Sequence, residues 1–303
     1  MTALIAGDAM RPLPAEVRHA LAGLPFLTAA DVRAAMGVPL GGVTNQSWGV
    51  VVNDERFVIR VPRPGTPRLL DREAEAANTR MMSELGVNVP TLFLDPATGV
   101  KVSRWLDGAP LGPEDLRDPA VVAEVAQLLR RVHQSGMPFS PAFRPLRLYE
   151  DIVHTSGRLS PELAAAQEHF AVCRDALLSF RAEQVPCHQD LYRGNFFRVG
   201  GRLYLLDWEH SGFADPVYDL ADLSVQADFG PDEDRILLQK YFFRAGEALP
   251  VERFFWAQQL SRLVWYTWAL VRAEAGETDP AHLLAGRRKF ALARDALHRW
   301  VGA

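Results

Sequence analysis

The sequence predicts an α+β protein of two lobes, an antiparallel sheet with one helix in its first third and a mostly helical remainder. Three observations lead there. Apolar residues alternate at strand period in two hairpins between Trp48 and Trp105, with one helical segment between them. Helical periodicity dominates beyond Asp107-Gly108, and a loop and short hairpin rich in Asp and Asn, from His188 to Glu209, interrupts those later helices. The expected division is residues 1–106, with a helical extension over about 1–38, and residues 107–303.

Each element follows from its residues. Val17, Leu21 and Leu24 recur at helical intervals within Pro14 to Leu24, and a second helix runs from Thr28 to Met36 with Thr28 as N-cap. The period then changes: Gly41-Gly42-Val43-Thr44-Asn45-Gln46-Ser47 leads into a strand from Trp48 to Val52, Asn53-Asp54 makes the turn, and Arg56 to Val61 returns. After a Pro/Gly-rich loop, Leu69 to Leu85 is an amphipathic helix closed by Gly86. Thr91 to Leu94 and Gly99 to Trp105 form the second hairpin about Asp95-Pro96. Helices follow at Ala120 to His133, with Val121, Val125, Leu128, Leu129 and Val132 on one stripe, and at Ala164 to Arg181. Three more cover Leu237 to Ala245, Val251 to Ala275 and Pro280 to Trp300, and no internal repeat is present.

Composition narrows the function classes. A chain of 303 residues that is 48% hydrophobic buries a sizeable core, and 33 basic against 37 acidic residues without a long run of either sign argue against a nucleic-acid-binding face. Only Cys173 and Cys187 are present, which excludes a disulfide framework or a cysteine zinc site and fits a reducing compartment. The first ten residues lack a signal-peptide pattern and every apolar run is broken by charge or proline, so a cytoplasmic protein with a small-molecule partner and no membrane span is expected, as monomer or homodimer.

The segment His188-Gln189-Asp190-Leu191-Tyr192-Arg193-Gly194-Asn195, followed by Leu203-Tyr204-Leu205-Leu206-Asp207-Trp208-Glu209, carries the chemistry. Asp190 and Asn195 stand five residues apart in one loop, and Asp207 ends a short strand twelve residues on. This set supplies what ATP-dependent phosphoryl transfer requires: a carboxylate to orient an attacking hydroxyl, and oxygen ligands for Mg²⁺. Asp190 is the expected base, Asn195 and Asp207 the metal ligands, and Glu209 a further ligand of metal or substrate. Each of these residues alone serves equally well as a turn or cap; their joint pattern is what points to a kinase.

His188-x-Asp190-x4-Asn195, Leu205-Leu206-Asp207-Trp208-Glu209 and Asp215-Pro216-x-Tyr218-Asp219-Leu220-Ala221 together resemble the choline/ethanolamine kinase and aminoglycoside phosphotransferase family, whose fold is bilobal and protein-kinase-like. The resemblance spans most of residues 40–270. It implies a phosphate-covering turn at Gly41 to Asn45, with Thr44 and Asn45 at the nucleotide, and a phosphate-binding cation at Arg60 on the strand Phe57-Val58-Ile59-Arg60. Protein kinases use Lys there; Arg keeps the charge and pairs with phosphate in bidentate fashion. Its implied carboxylate partner is Glu75 in Arg72-x-x-Glu75-x-x-Asn78, rather than Glu73. Val102 to Gly108, with Arg104 and Leu106 inside it, is the implied hinge for adenine. His188 is expected to brace the loop backbone and His133 to pack.

The resemblance also implies an amino-alcohol acceptor, choline first, with ethanolamine, thiamine, an aminoglycoside or other sugar, and a non-catalytic nucleotide binder as alternatives. A quaternary ammonium is held by aromatic faces and nearby carboxylates. Trp265 and Trp268 lie three apart on one helical face, as in the family's choline-site helix, and Tyr192, Trp208 and Glu209 are expected to close the pocket, though an aromatic stripe serves equally as core. Where the family's choline enzymes carry Tyr, this chain has His210, one aromatic wall fewer. The basic residues Arg253, Arg262, Arg272, Arg287, Arg288 and Lys289 argue against a polycationic antibiotic.

Overall fold

The computed structural model describes residues 10–42, 45–63, 70–139, 145–157, 159–242, 248–276 and 279–301. Thr44 and the expected helix start at Leu69 lie outside them. The chain divides into two compact units, the first comprising Met1–Leu111 and Gly194–His210, the second Gly112–Arg193 and Ser211–Ala303. The boundary therefore differs from the single cut after Leu106, because the hairpin that follows the catalytic-type loop belongs with the first unit. Backbone pairing is the reason: Leu111 N–H donates to Phe196 O at 2.8 Å, and Leu205 N–H to Val87 O at 2.9 Å.

The first unit is built on a six-stranded antiparallel sheet of β1 (Arg11–Pro12), β2 (Met36–Gly41), β3 (Asn45–Val52), β4 (Glu55–Pro62), β5 (Thr91–Leu94) and β6 (Lys101–Arg104), in the order β1-β2-β3-β4-β6-β5. Asn53 and Asp54, both at positive φ (51° and 63°), form the tight β3–β4 turn expected from sequence. Strand β2 was expected to be the end of a helix and a glycine turn. Met36-Gly37-Val38-Pro39-Leu40-Gly41 shows no alternation, and only pairing with β3, with a register shift between Pro39 and Gly41 where proline lacks an N–H, makes it a strand.

Helices α1 (Ala15–Ala22) and α2 (Ala29–Ala34) bury Val17, Leu21 and Val32 in one cluster with Trp48, Val50, Phe57, Ile59 and Val102 of the sheet. Each large side chain so removed from water contributes roughly 1.5–3 kcal/mol. Thr28 and Asp31 close a reciprocal capping box at the start of α2. Helix α3 (Arg72–Glu84), capped by Asp71, ends at Gly86, whose φ of 70° suits glycine and whose missing Cβ makes room for the Arg202 guanidinium. Strands β7 (Ala109–Pro110), β9 (Phe196–Val199) and β10 (Arg202–Leu205) complete this unit as a small antiparallel sheet ordered β10-β9-β7.

The second unit contains α4 (Pro119–His133), α5 (Pro145–Thr155), α6 (Pro161–Leu178), α7 (Pro216–Gln226), α8 (Pro231–Tyr241), α9 (Val251–Glu274) and α10 (Pro280–Val301), with β8 (Val185–Cys187) paired to β11 (Gly212–Ala214). On α4 the buried stripe contains Val122 rather than Val121, together with Val125, Leu128, Leu129 and Val132. Helices α5 and α7 were not expected. Yet α7 carries a start signal in Asp215-Pro216, with the Asp215 carboxylate capping Val217 N–H at 3.0 Å and proline at the first helical position. Cys173 and Cys187 are buried free thiols, and none of the described helices is long and apolar enough to cross a membrane.

Candidate active site

In the first unit the sheet brings two cations face to face. Arg60 on β4 and Lys101 on β6 are direct cross-strand partners, and so share one face of the sheet. Two adjacent positive charges, one buried and one half-buried, persist only among carboxylates. Arg60, 5% exposed, donates to Glu75 and to Asp207 and lies 3.4 Å from Glu209 Oε2. Arg72 donates to Glu75 Oε2 at 2.6 Å and to Glu209 Oε2 at 3.3 Å; Asn45 Nδ2 donates to the same Glu209 oxygen at 3.1 Å. Lys101 Nζ stands 3.9 Å from Asp207 Oδ1. Three cations thus meet three carboxylates.

Electrostatics follow from that count. Burial opposes the charge on Arg60, but Asp207, Glu75 and Glu209 outweigh it and raise its pKa above the ordinary arginine value. For Lys101, burial and the neighbouring Arg60 prevail over the same carboxylates and lower its pKa.

Oxygens of Glu75, Asp207 and Glu209 lie within 4.8 Å of one another, a hard-donor set suited to Mg²⁺. Asp207 is the most accessible of the three, its side chain 28% exposed against 0% for Glu75 and 4% for Glu209. It also sits at φ 68°, a backbone region that residues other than glycine rarely adopt and that collects at functional positions. Asn195 is tied in beside it, since its carbonyl accepts Leu206 N–H at 2.8 Å, one residue before Asp207. Another grouping, His133, Cys187 and Asp219 in the second unit, is poor in free donors: burial pushes the Cys187 thiol well up, and the other two bond to each other.

The second unit holds the loop that bears Asp190. Strand β8 delivers the chain to His188, and the four successive amides of residues 188–191 all donate. His188 N–H and Gln189 N–H each reach a carboxylate oxygen of Asp219 at 2.8 Å. Asp190 N–H donates to His188 Nδ1 at 3.2 Å, and Leu191 N–H to Asp222 Oδ2 at 2.8 Å. Asp219 and Asp222, three apart on α7, therefore flank Asp190 along the backbone. Gln189, at φ 66°, bends the loop between its two carboxylate clamps. Asp190 itself is partly exposed.

Behind the loop, His133 Nε2 donates to Asp219 Oδ2 at 2.9 Å while its Nδ1 accepts the Tyr241 hydroxyl at 2.7 Å. Burial works to raise the Asp219 pKa, but His133 and the backbone donors outweigh it, and the carboxyl lies below its ordinary value. For Asp222 burial prevails over the donors and its pKa is raised. Sequence reasoning had placed Asp219 in a family segment without this role, and had missed Lys101 and Asp222; the Asp-Pro helix start and the spacing of three were the available signal for Asp222.

The residues expected at the acceptor separate. Trp265, on α9, donates its indole N–H to Asp222 Oδ1 at 2.7 Å and lines a cavity of about 30 Å³ with Leu148, Tyr218, Asp222, Ser261 and Val264. Trp268 packs edge-on to Trp265, and Arg272 lies over its ring, so a protein cation already occupies that face. Tyr192 is 44% exposed, with Arg193 stacked on it. Trp208 departs from expectation: it is fully buried, its indole N–H donated to Leu205 O at 3.0 Å, because β10 ends at Leu205 and the chain turns at Trp208–His210, which carries the ring inward. Glu209 likewise faces Arg60, Arg72 and Asn45 rather than solvent.

At the expected hinge, Val102, Ser103 and Trp105 are buried, Leu106 is half-buried and Arg104 is exposed. Arg104 N–H is taken by Pro90 O at 3.1 Å, and Asp107 fixes the segment by accepting from both Arg56 guanidinium nitrogens and from the Trp105 indole.

The LicA protein of Haemophilus influenzae is 28% identical over 257 residues, covering 78% of this chain and 74% of its own. A crystal structure of a choline/ethanolamine kinase family protein from Mesorhizobium loti superposes with a TM-score of 0.76 at 28% identity, covering 93% of this chain and 94% of its own. An aminoglycoside phosphotransferase shares the fold at a TM-score of 0.60 and 16% identity, over 86% of this chain and 94% of its own. The model of the phosphotransferase enzyme family matches residues 37–255, a span holding the Arg60 cluster and the whole Asp190 loop, and the chain belongs to that family of kinase-like phosphotransferases acting on hydroxyl acceptors.

Proposed function

We propose that the protein transfers the γ-phosphoryl group of Mg-ATP to the hydroxyl of an amino alcohol, choline first. The observation that carries this reading is the loop of residues 188–191, whose four amides all donate to the side chains of Asp219, His188 and Asp222, so that the backbone carrying Asp190 is fixed on both sides of it. A loose phosphoryl-transfer transition state needs orientation more than early deprotonation, and a rigid carboxylate supplies it. In this reading Asp190 orients the hydroxyl and accepts its proton late. Arg60, steadied by Glu75, pairs with the nucleotide phosphates, Asp207 and Asn195 hold Mg²⁺, and Thr44, Asn45 and the hinge about Leu106 cover the nucleotide. The metal neutralises charge on the phosphates. Arg60, whose fork pairs with Glu75 and Asp207, would hold the nucleotide phosphates, and Asp207 would hold the ion.

Trp265 supports an acceptor with a cationic head, offering a ring face beside a carboxylate. Ethanolamine is the second reading, favoured by a specific observation: with Trp208 buried and Trp268 covered by Arg272, fewer aromatic faces remain than a quaternary ammonium uses. Phosphorylation assays with choline, ethanolamine, thiamine and kanamycin in Mg-ATP decide the matter. Choline or ethanolamine is expected to give the highest kcat/KM, and absence of transfer to any amino alcohol refutes the reading. Arg60→Lys keeps the charge but loses the fork, and is expected to raise the KM for ATP by about ten-fold or more, the worth of one charge-assisted hydrogen bond. Initial rates against ATP at saturating acceptor measure it.

A further inference from the structure

Asp222 is buried, and its two oxygens point two ways. Oδ1 accepts from two residues of α9, Ser261 Oγ at 2.8 Å and Trp265 Nε1 at 2.7 Å; Oδ2 accepts Leu191 N–H, the amide next after Asp190. The direct contacts that oppose the burial of this carboxylate are its hydrogen bonds from Trp265, Leu191 and Ser261. An indole N–H is a single donor with no acceptor, and this one is spent on Asp222, which sets the tilt of the ring. The same carboxylate sets the peptide that follows Asp190. A second carboxylate, Asp219, already secures the two amides before Asp190, so Asp222 is not needed merely to close the loop from that side.

We infer that Asp222 is a positioning residue that couples the Trp265 ring to the Asp190 loop, so that seating the acceptor's cationic head against the ring and aiming Asp190 at its hydroxyl are governed by one side chain. This rests on the amino-alcohol reading and deepens it. A wall of the acceptor pocket contributes to binding alone; a wall tied through Asp222 to the loop contributes to turnover as well.

The test is a double-mutant cycle of Asp222→Asn and Trp265→Phe on the full chain. Asn offers one acceptor oxygen and an NH₂. If that oxygen keeps Leu191 N–H, the NH₂ meets the indole N–H and no bond forms, although Ser261 Oγ still finds a partner. Phe keeps a ring and removes the N–H. Each single variant is expected to lose roughly ten- to a hundred-fold in acceptor kcat/KM, with kcat falling as well as KM rising and the KM for ATP unchanged. The double variant is expected to be little worse than the poorer single one. Additive losses, or a Trp265→Phe effect confined to acceptor KM, overturn the coupling. Should Asp222→Asn fail to fold, the kcat of Trp265→Phe decides alone, because a wall without coupling leaves it intact. No transfer by the unaltered protein to any amino alcohol overturns the functional reading itself, and the coupling with it; transfer by the unaltered protein with additive variants overturns the coupling only.

Discussion

Asp190→Asn is expected to cut kcat by roughly 10²–10⁴-fold while leaving the dissociation constant for Mg-ATP within about two-fold of the parent, the range a positioned proton acceptor contributes. The substitution preserves shape and backbone. Asp190 N–H goes to His188 Nδ1, and its neighbours' amides to Asp219 and Asp222, so these four backbone anchors do not use the Asp190 carboxylate and remain in the variant. An amide accepts no proton and carries no charge to orient a hydroxyl, hence the loss falls on turnover. The cations proposed for the phosphates, Arg60 and its partners, belong to other elements and keep their ion pairs. Single-turnover kinetics with ATP titration by calorimetry measure both quantities. A variant retaining most of its kcat removes Asp190 from the chemistry.

Asp219→Ala carries the largest expected effect on stability. The carboxylate accepts from His133, His188 N–H and Gln189 N–H, all buried, and each donor left without a partner costs about 1–3 kcal/mol. A total of roughly 3 kcal/mol or more is expected, read from the shift in urea midpoint at unchanged slope. Asp219→Asn recovers part of this, since one oxygen still accepts.

The pH dependence has a definite sign. Because the folded pKa of Asp219 lies below its ordinary value of 3.8, its contribution is complete above that value and is lost as pH falls through the folded pKa. The parent is therefore expected to lose stability more steeply than Asp219→Asn as pH drops below about 4. Urea melts at pH 7 and pH 3 give the comparison. Equal slopes of stability against pH contradict the assignment.

Much of the architecture was legible because its signals are local. Asn53-Asp54 adopts positive φ in the tight turn its residue types favour, Thr28 caps α2, and Gly86 ends α3, each through bonds within four residues. Arg60 and Glu75 were assigned through a family pattern, and the structure pairs the strand arginine with the helix carboxylate, both buried. Strand β2 was not legible, since its residues become a strand only by bonding to β3, fifteen or fewer positions away but absent from any local period.

The candidate site divides along the same line. Residue types and the local loop can be read without coordinates: Asp190, Asn195 and Asp207 at kinase-like spacing, a cation on a strand and a tryptophan pair on a helix. What each side chain faces depends on the folded chain. Trp208 and Glu209 are adjacent to Asp207 in sequence, yet one fills a core and the other neutralises two arginines, because a buried ring seeks apolar neighbours and a buried carboxylate a cation. Asp219 and Asp222 look like ordinary polar positions on a helix, and become the supports of the Asp190 loop only when α7 brings their oxygens to its amides. Hydrogen-bond partners thirty residues apart leave no periodicity to read; they are selected by the requirement that buried donors and acceptors find one another in the folded chain.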